Sequence, residues 1–190
     1  MRYKPGHKER ARELILETAS GLLRKNHYAG IGVDALMAAA GLTSGAFYSN
    51  FASKQQLLEE VLDRDLSRIR DSLLARAAEA RPGWLAEFVR HYIHALSKPD
   101  AAIECRLTAL SPDIAGAGPE VGRLYEQRLG EIVEALALGV TPGPSATERA
   151  WQLLATMIGA VAVARALPEG AATDQLLQAT AHLTAESREK

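Results

Sequence analysis

The sequence has one cysteine, few aromatic residues and no long apolar run. Cys105 is the single cysteine in 190 residues, so no internal disulfide forms, and this fits a reducing compartment. The longest uncharged run of the C-terminal half, Ala150–Ala164, is too short to span a bilayer. The polar residues 1–8 contain no apolar stretch of signal-peptide type. We therefore expect a cytoplasmic protein that makes no contact with a membrane.

The net charge is also small, at −1, but it is unevenly distributed. Residues 1–54 contain eight Lys or Arg and four Asp or Glu, a balance of +4, whereas the remainder has a balance of −5. This asymmetry is typical of a protein that presents only its N-terminal part to phosphates. The near-neutral total argues against an architectural DNA binder, because non-specific binding depends on many phosphate contacts.

Apolar residues recur at helical spacing along nearly the whole chain, and aromatic residues make up only 5%. Because no segment alternates apolar and polar residues, we predict an all-α fold. The predicted helices are about 8–25, 33–40, 44–50, 53–80, 84–96, 121–138, 146–166 and 174–186, with a less regular stretch over 101–115. They form a three-helix head, residues 1–52, and a larger helical body, residues 53–190. The long helix that starts at Ser53, with Gln56 as capping-box partner, joins head to body as a rigid rod.

The stretch between Gly41 and Lys54 has the pattern of a helix-turn-helix. Gly41 supplies a tight turn, and Thr43 or Ser44 is placed to cap the helix that follows. A compact turn of this kind lets a second helix enter a DNA major groove, and small side chains on that helix let the backbone approach closely. Lys54, in the first turn of the next helix, is placed to meet a phosphate.

Two phenylalanines define the orientation of this second helix. Phe47 and Phe51 lie four residues apart and should anchor it on the stripe of the first helix. That stripe and its partner in the second helix are Leu14, Ile15, Ala19, Leu22, Leu23 and Leu36. Tyr48 and Asn50 are then expected to project outward.

At these residues the sequence resembles the TetR family of bacterial regulators. The positions that fit the family pattern are Gly41, Leu42, Thr43, Gly45, Ala46, Phe47, Tyr48, Asn50, Phe51, Ser53, Lys54 and Leu57. The resemblance covers residues 8–58 and implies a helix-turn-helix at about 32–51. The sequence departs from the pattern just before the second helix, where the family's Ser or Thr is replaced by Ile31 and Gly32. A glycine is an acceptable helix cap, so a backbone N–H can take over the phosphate contact there.

The resemblance implies a transcriptional regulator, most simply a repressor that binds a pseudo-palindromic operator in double-stranded DNA and is released by a small-molecule effector. The predicted DNA contacts are Gly32, Val33, Thr43, Ser44, Gly45, Ala46, Tyr48, Ser49, Asn50 and Lys54. The effector, the operator sequence, the regulated genes and the choice between repression and activation are not set by the sequence.

Two sets of residues in the body are candidates for further sites. The helix 146–166 is apolar nearly all round, which predicts a homodimer through a four-helix bundle. The alternative is that it is the central buried helix of a monomer. The interface residues are Leu153, Met157, Val161, Leu176, Leu177 and Leu183. The predicted effector pocket is lined by Trp84, Phe88, Tyr92, Cys105 and Tyr125, each of which fits an ordinary core position equally well.

Other patterns have competing interpretations. Cys105 is either a sensing thiol or a small buried hydrophobe. His91 and His94 with Cys105 permit a metal site but lack an acidic ligand, and we predict neither metal nor cofactor. Arg106 and Arg128 pair with a ligand carboxylate or with a neighbouring Glu.

An α-helical enzyme is the alternative from another functional class. Ser44 lies one place away from a nucleophile-elbow pattern and follows a helix, not a strand. We find no metalloprotease motif, phosphate loop or paired carboxylates at a useful spacing. We therefore expect no enzymatic activity.

Overall fold

The computed structural model describes residues 7–25, 30–97 and 114–186, and within these ranges the regular structure is helical without strands. The helices are α1 His7–Lys25, α2 Val33–Ala39, α3 Ser44–Tyr48, α4 Lys54–Ala78, α5 Trp84–Ser97, α6 Pro119–Ala137, α7 Ala146–Ala166 and α8 Ala171–Glu186. The predicted all-α fold is confirmed. Among the helices in the described ranges, none combines the length and apolar character needed to cross a bilayer.

Most helix bounds agree with the sequence periodicity, and the differences have local causes. Helix α8 begins at Ala171, three residues before the predicted start, because two alanines extend it back to Gly170. The main-chain N–H of Asp174 donates to the Gly170 carbonyl at 3.1 Å, closing this first turn. Helix α3 ends at Tyr48, and Ser49 and Asn50 lie in a turn.

The described residues form two compact units. The first contains the described residues up to Asp65 together with 114–126; the second contains the described residues from Leu66 onward, without 114–126. Helices α4 and α6 each contribute to both units. The predicted division between head and body at residue 52 stays a prediction.

The core of the first unit is built on α1, α2, α3 and the N-terminal half of α4. Its largest fully buried side chains include Ile15, Met37, Phe47 and Leu58. The prediction that Leu14 joins this core is wrong, because Leu14 is 43% exposed and Leu16 is buried in its place. The buried side of α1 therefore differs from the predicted stripe, and it includes a polar residue, Ser20, that the apolar periodicity does not detect. Ser20 on this stripe donates its hydroxyl to Asp65 of α4 at 2.5 Å, and both side chains are buried.

In the second unit, α5, α7 and α8 pack on one another. The turn after α6 passes very close to the start of α5, where a Cβ at Gly139 would lie 2.6 Å from the Trp84 ring and 2.8 Å from the Leu85 Cβ. Only glycine fits at this position without a shift of α5.

A partly buried cluster of charged side chains joins α4 to α6 in the second unit. Glu131 accepts hydrogen bonds from Arg128 at 2.7 Å and from Arg70 at 2.6 Å. These bonds, with Arg128 as the larger cause, lower the pKa of Glu131 from 4.5 to about 2. The pKa of Arg70 is raised by its hydrogen bonds to Asp71 and then to Glu131. Arg128 therefore pairs with a neighbouring Glu, and Arg106 lies outside the described residues.

Candidate DNA-binding site

The turn between α2 and α3 depends on the left-handed conformation of Gly41, which has a φ of +66°. The Gly41 N–H donates to the Ala38 carbonyl at 3.0 Å, and the Leu42 N–H donates to the Met37 carbonyl at 2.9 Å. These two bonds form a Schellman motif, which satisfies the last carbonyls of α2 and redirects the chain within two residues. The predicted glycine turn is thus present, and it fixes where α3 begins.

Helix α3 is held in the first unit by its aromatic side. Phe47 and Phe51 are 0% and 1% exposed, and their ring centroids lie 5.6 Å apart. Tyr48 meets Phe47 edge to face at 5.2 Å, yet 68% of Tyr48 is exposed. The two buried rings therefore determine which side of this short helix faces solvent.

The outward side of α3 is small and polar. Thr43, Gly45, Tyr48 and Ser49 are exposed, and a Cβ added at Gly45 would meet no atom within 4 Å. Folding therefore does not require glycine at position 45, and the absence of a side chain there lets another molecule approach the main chain closely. Val33 and Lys54, which begin α2 and α4, are half-buried, as is Ala46.

The caps of α2 and α3 use the main chain. Gly32 and Thr43 occupy the N-cap positions in extended conformation, and neither makes a side-chain capping bond. Ser44 donates its hydroxyl to the Asp34 carboxylate at 2.5 Å, which joins α3 to α2. The predicted N-cap position of Thr43 is correct, but no hydroxyl caps α3.

Asn50 differs from the outward orientation that its spacing predicts. It is half-buried, and its side-chain amide donates to the Ala46 carbonyl at 2.7 Å. Its main-chain carbonyl accepts a hydrogen bond of 2.6 Å from the guanidinium of Arg12. The side chain therefore closes the last turn of α3 from the protein side.

Arg12 links three parts of the first unit, and sequence analysis missed it. Besides Asn50, its guanidinium forms an ion pair with Glu60 of α4 and lies 4.4 Å from the centroid of the Phe51 ring. Glu60 in turn accepts from the Gln56 amide at 3.0 Å. In the sequence Arg12 lies on the charged side of α1, and nothing local indicates partners 38 and 48 residues away.

The start of α4 confirms Ser53 as an N-cap. The Gln56 N–H donates to the Ser53 hydroxyl oxygen at 3.0 Å. The reciprocal bond of a capping box is displaced by one residue, because the Gln56 side chain accepts from the Ala52 N–H at 2.7 Å. This places Lys54 at the first position of a helix with a defined start.

The predicted effector residues do not form one described cavity. Trp84 and Phe88 are buried in the second unit, where Trp84 lines a groove of about 500 Å³ with Leu138 and Pro142. Tyr92 is half-buried, with its ring centroid 6.0 Å from that of Phe88. Tyr125 belongs to the first unit, and Cys105 lies outside the described residues. This pocket stays a prediction.

The predicted dimer residues of α7 face the core of their own chain. Leu153, Met157 and Val161 are 8%, 1% and 0% exposed. A helix that looks apolar on all sides is here half covered by α5 and α8 of the same chain. Leu176 and Leu177 are half-buried, and the side chain of Leu183 lies outside the described part.

The exposed side of α7 consists of different residues. Small residues recur at helical spacing, flanked by two large apolar side chains, Trp151 at 44% and Val163 at 50% exposure. We call the set Trp151, Ala155, Gly159, Ala162, Val163 and Ala166 the α7 face. This face is exposed in the single chain, whereas Leu153, Met157 and Val161 are buried, and the interface itself stays a prediction.

In the described ranges, no three His, Cys, Asp or Glu side chains converge closely enough to hold a metal ion. His91 and His94 lie on α5, and their predicted companion Cys105 is not among the described residues.

Comparison with known proteins gives a family match within the first unit and similar folds for nearly the whole chain. Residues 15–61 match the family model of bacterial regulatory proteins of the tetR family. No curated protein sequence matches the chain.

Solved structures match nearly the full length. The chain is similar to E. coli NemR in its reduced form, with TM-score 0.81 and 17% identity over 93% of this chain and 97% of NemR. It is similar to a TetR-family transcriptional regulator from Cytophaga hutchinsonii, with TM-score 0.77 and 19% identity over 99% and 100%. A transcriptional regulator from Saccharomonospora viridis in complex with choline gives TM-score 0.72 and 20% identity over 96% and 97%. These likenesses show the fold.

Proposed function

Because this chain has the DNA-binding domain and the fold of a TetR-family transcriptional regulator, we propose that it is a repressor that binds a pseudo-palindromic operator as a homodimer and is released by a small-molecule effector. The observation that carries the proposal is the outward side of α3. Two buried phenylalanines and the contacts of Arg12 hold a five-residue helix whose solvent side is polar, with Tyr48 as its one large side chain. Such a surface fits a major groove, where backbone and short side chains approach base edges and phosphates.

The proposed roles follow from the exposure of each group. Tyr48, Thr43 and Ser49 present hydroxyl groups to phosphates or base edges, and Gly45 leaves room for a close approach. The same surface is bordered in the proposal by Ser44 and Ala46 of α3. The residues at the starts of α2 and α4, Gly32, Val33 and Lys54, border it too. Lys54 and the main-chain N–H groups at the starts of α2 and α4 bind phosphates. Asn50 changes role, since its side chain and carbonyl bond within the first unit: it positions α3.

We propose that a second copy of the chain covers the α7 face. Trp151 and Val163 are large and exposed, and the small residues between them let a helix approach closely. Half-buried Leu176 on α8 borders this contact. A contact of this kind about a two-fold axis is an isologous interface. The same axis pairs two α3 helices with the two half-sites of one operator.

Effector release requires a ligand that prefers the DNA-incompetent conformation. Helix α4 is continuous from Lys54 to Ala78 and belongs to both units, which supports a role as the connecting element. The S. viridis regulator of this fold is in complex with choline, which supports a small-molecule effector in general but does not identify one for this chain. We further propose that the protein acts in the cytoplasm and has no catalytic activity.

The test is an electrophoretic shift of the DNA upstream of the protein's own gene, at moderate salt and with excess competitor. A retained complex favours a sequence-specific regulator over both an enzyme and an architectural binder, whose complex would be lost to competitor. The matched variants are Gly45→Ala and Gly122→Ala, two helical glycines at which a Cβ meets no atom within 4 Å. Gly45→Ala should abolish the shift and Gly122→Ala should preserve it. Equal shifts would refute α3 as the DNA-binding helix.

A further inference from the structure

A groove of about 810 Å³ lies in the second unit between α5 and α8, with Arg76 of α4 at its edge. None of the residues predicted to bind effector lines it. Its volume is in the range of small-molecule sites, roughly 300–1,000 Å³.

The walls of the groove are basic. Two arginines, Arg76 and Arg90, and three histidines, His91, His94 and His182, line it, against one carboxylate, Glu87. In the part of the chain that the structure describes, neither arginine forms an ion pair, whereas Glu87 has Arg81 at 4.0 Å. Guanidinium groups form paired hydrogen bonds with carboxylate, phosphate or sulfonate oxygens, so the groove favours an anionic group.

The floor of the groove is apolar. Ile93 is 1% exposed, and Leu177, Ala86 and Ala181 lie beside it. The Arg76 guanidinium lies 5.8 Å from the centroid of the Phe88 ring, which is within the range of a cation–π contact. A molecule that has both an apolar part and an anionic group would cover the apolar floor and pair with the two arginines.

We propose that this groove binds an organic anion with an apolar body. The anionic group pairs with Arg76 and Arg90, histidine N–H groups donate further bonds, and the apolar body covers Ile93 and Leu177. None of the residues of the α7 face lines this groove.

The test uses the full-length protein and two probes with the same apolar body. 1-Anilinonaphthalene-8-sulfonate is an organic anion, and N-phenyl-1-naphthylamine lacks the sulfonate. Both fluoresce on binding an apolar site. The variant is the double substitution Arg76→Gln, Arg90→Gln, and the control is Arg123→Gln, which removes an exposed arginine of α6 that does not line the groove.

We expect saturable binding of the sulfonate, a loss of about tenfold in the double variant, and wild-type binding in the control. The affinity for the uncharged probe should stay within about twofold. Unchanged sulfonate affinity in the double variant, or equal losses for both probes, would overturn the proposal. A change of sedimentation in the double variant would overturn it too, since it would assign the groove to a subunit contact. The operator shift without any probe tests the proposed function separately.

Discussion

The guanidinium of Arg12 donates a 2.6 Å hydrogen bond to the main-chain carbonyl of Asn50, and so ties α1 to the last turn of α3. A five-residue helix is too short to be stable alone, so its orientation depends on the surroundings. The bond to Asn50, the ion pair with Glu60 and the contact with the Phe51 ring act on the same end of α3. Arg12 is thus a positioning residue for the proposed DNA-binding surface.

Arg12→Met should destabilise the protein by about 1–2 kcal/mol, because it removes a charge-assisted hydrogen bond and leaves the Asn50 carbonyl half-buried. Partial exposure of the ion pair keeps the loss from being larger. Guanidinium denaturation measures the difference. The control is Arg10→Met, which changes an exposed residue of the same helix. Equal stability of the two variants would show that the contacts of Arg12 contribute nothing.

Gly32→Ser should stabilise α2 by a few tenths of a kcal/mol. Gly32 has the extended conformation of an N-cap, with φ −76° and ψ 151°, and a Cβ there meets no atom within 4 Å. The serine oxygen then accepts a bond from a main-chain N–H of the first turn. Gly32→Ala adds the same Cβ without the hydroxyl and should be less stable than Gly32→Ser. A thermal melt in which the alanine variant equals or exceeds the serine variant would contradict this interpretation.

Glu131 gives the second unit a defined acid sensitivity. Its pKa is depressed to about 2 in the folded protein from an ordinary value of 4.5. The group therefore contributes stability that is fully present above pH 4.5 and is lost as the pH falls through 2. The midpoint of unfolding in guanidinium chloride falls as the pH falls through this window, and Glu131→Gln should make that fall smaller. Glu126→Gln, which changes an exposed residue of the same helix, should leave it unchanged. Parallel curves for all three proteins would reject the role of Arg128 and Arg70.

Ala162→Arg should convert the proposed dimer into a monomer. In an isologous contact the substitution places two charges near the axis, where the partner's α7 face would otherwise pack. Sedimentation at micromolar concentration measures the oligomeric state, with Ala75→Arg on exposed α4 surface as control. A monomeric wild type, or a dimeric Ala162→Arg variant, would refute this interface.

Local signals in the sequence were sufficient for the helices, the Gly41 turn, the Ser53 cap and the burial of Phe47 and Phe51. Each depends on residues within a turn or two of one another, and their physical constraints are read from spacing. Contacts between distant residues were not predictable in this way. The Arg12–Asn50 bond joins positions 38 residues apart, and the Ser20–Asp65 pair joins positions 45 apart.

The sequence also did not separate the buried side of α7 from its exposed side, for a related reason. An all-apolar helix has no periodic polar side, so its sequence does not distinguish a side covered by its own chain from one left for a partner. Burial of Val161 and exposure of Val163 are decided by the packing of α5 and α8. The basic groove was missed because its arginines and histidines come from three helices.

The most direct test of the central claim, that α3 binds DNA through its exposed side, is the affinity of Tyr48→Ala for the upstream DNA fragment, measured by fluorescence anisotropy. Tyr48 and Leu138 are 68% and 62% exposed, so Leu138→Ala removes a comparable exposed side chain at a distant place in the sequence. The account predicts that Tyr48→Ala weakens binding by about tenfold while Leu138→Ala binds like the wild type. Equal affinity of wild type, Tyr48→Ala and Leu138→Ala for this fragment would contradict it.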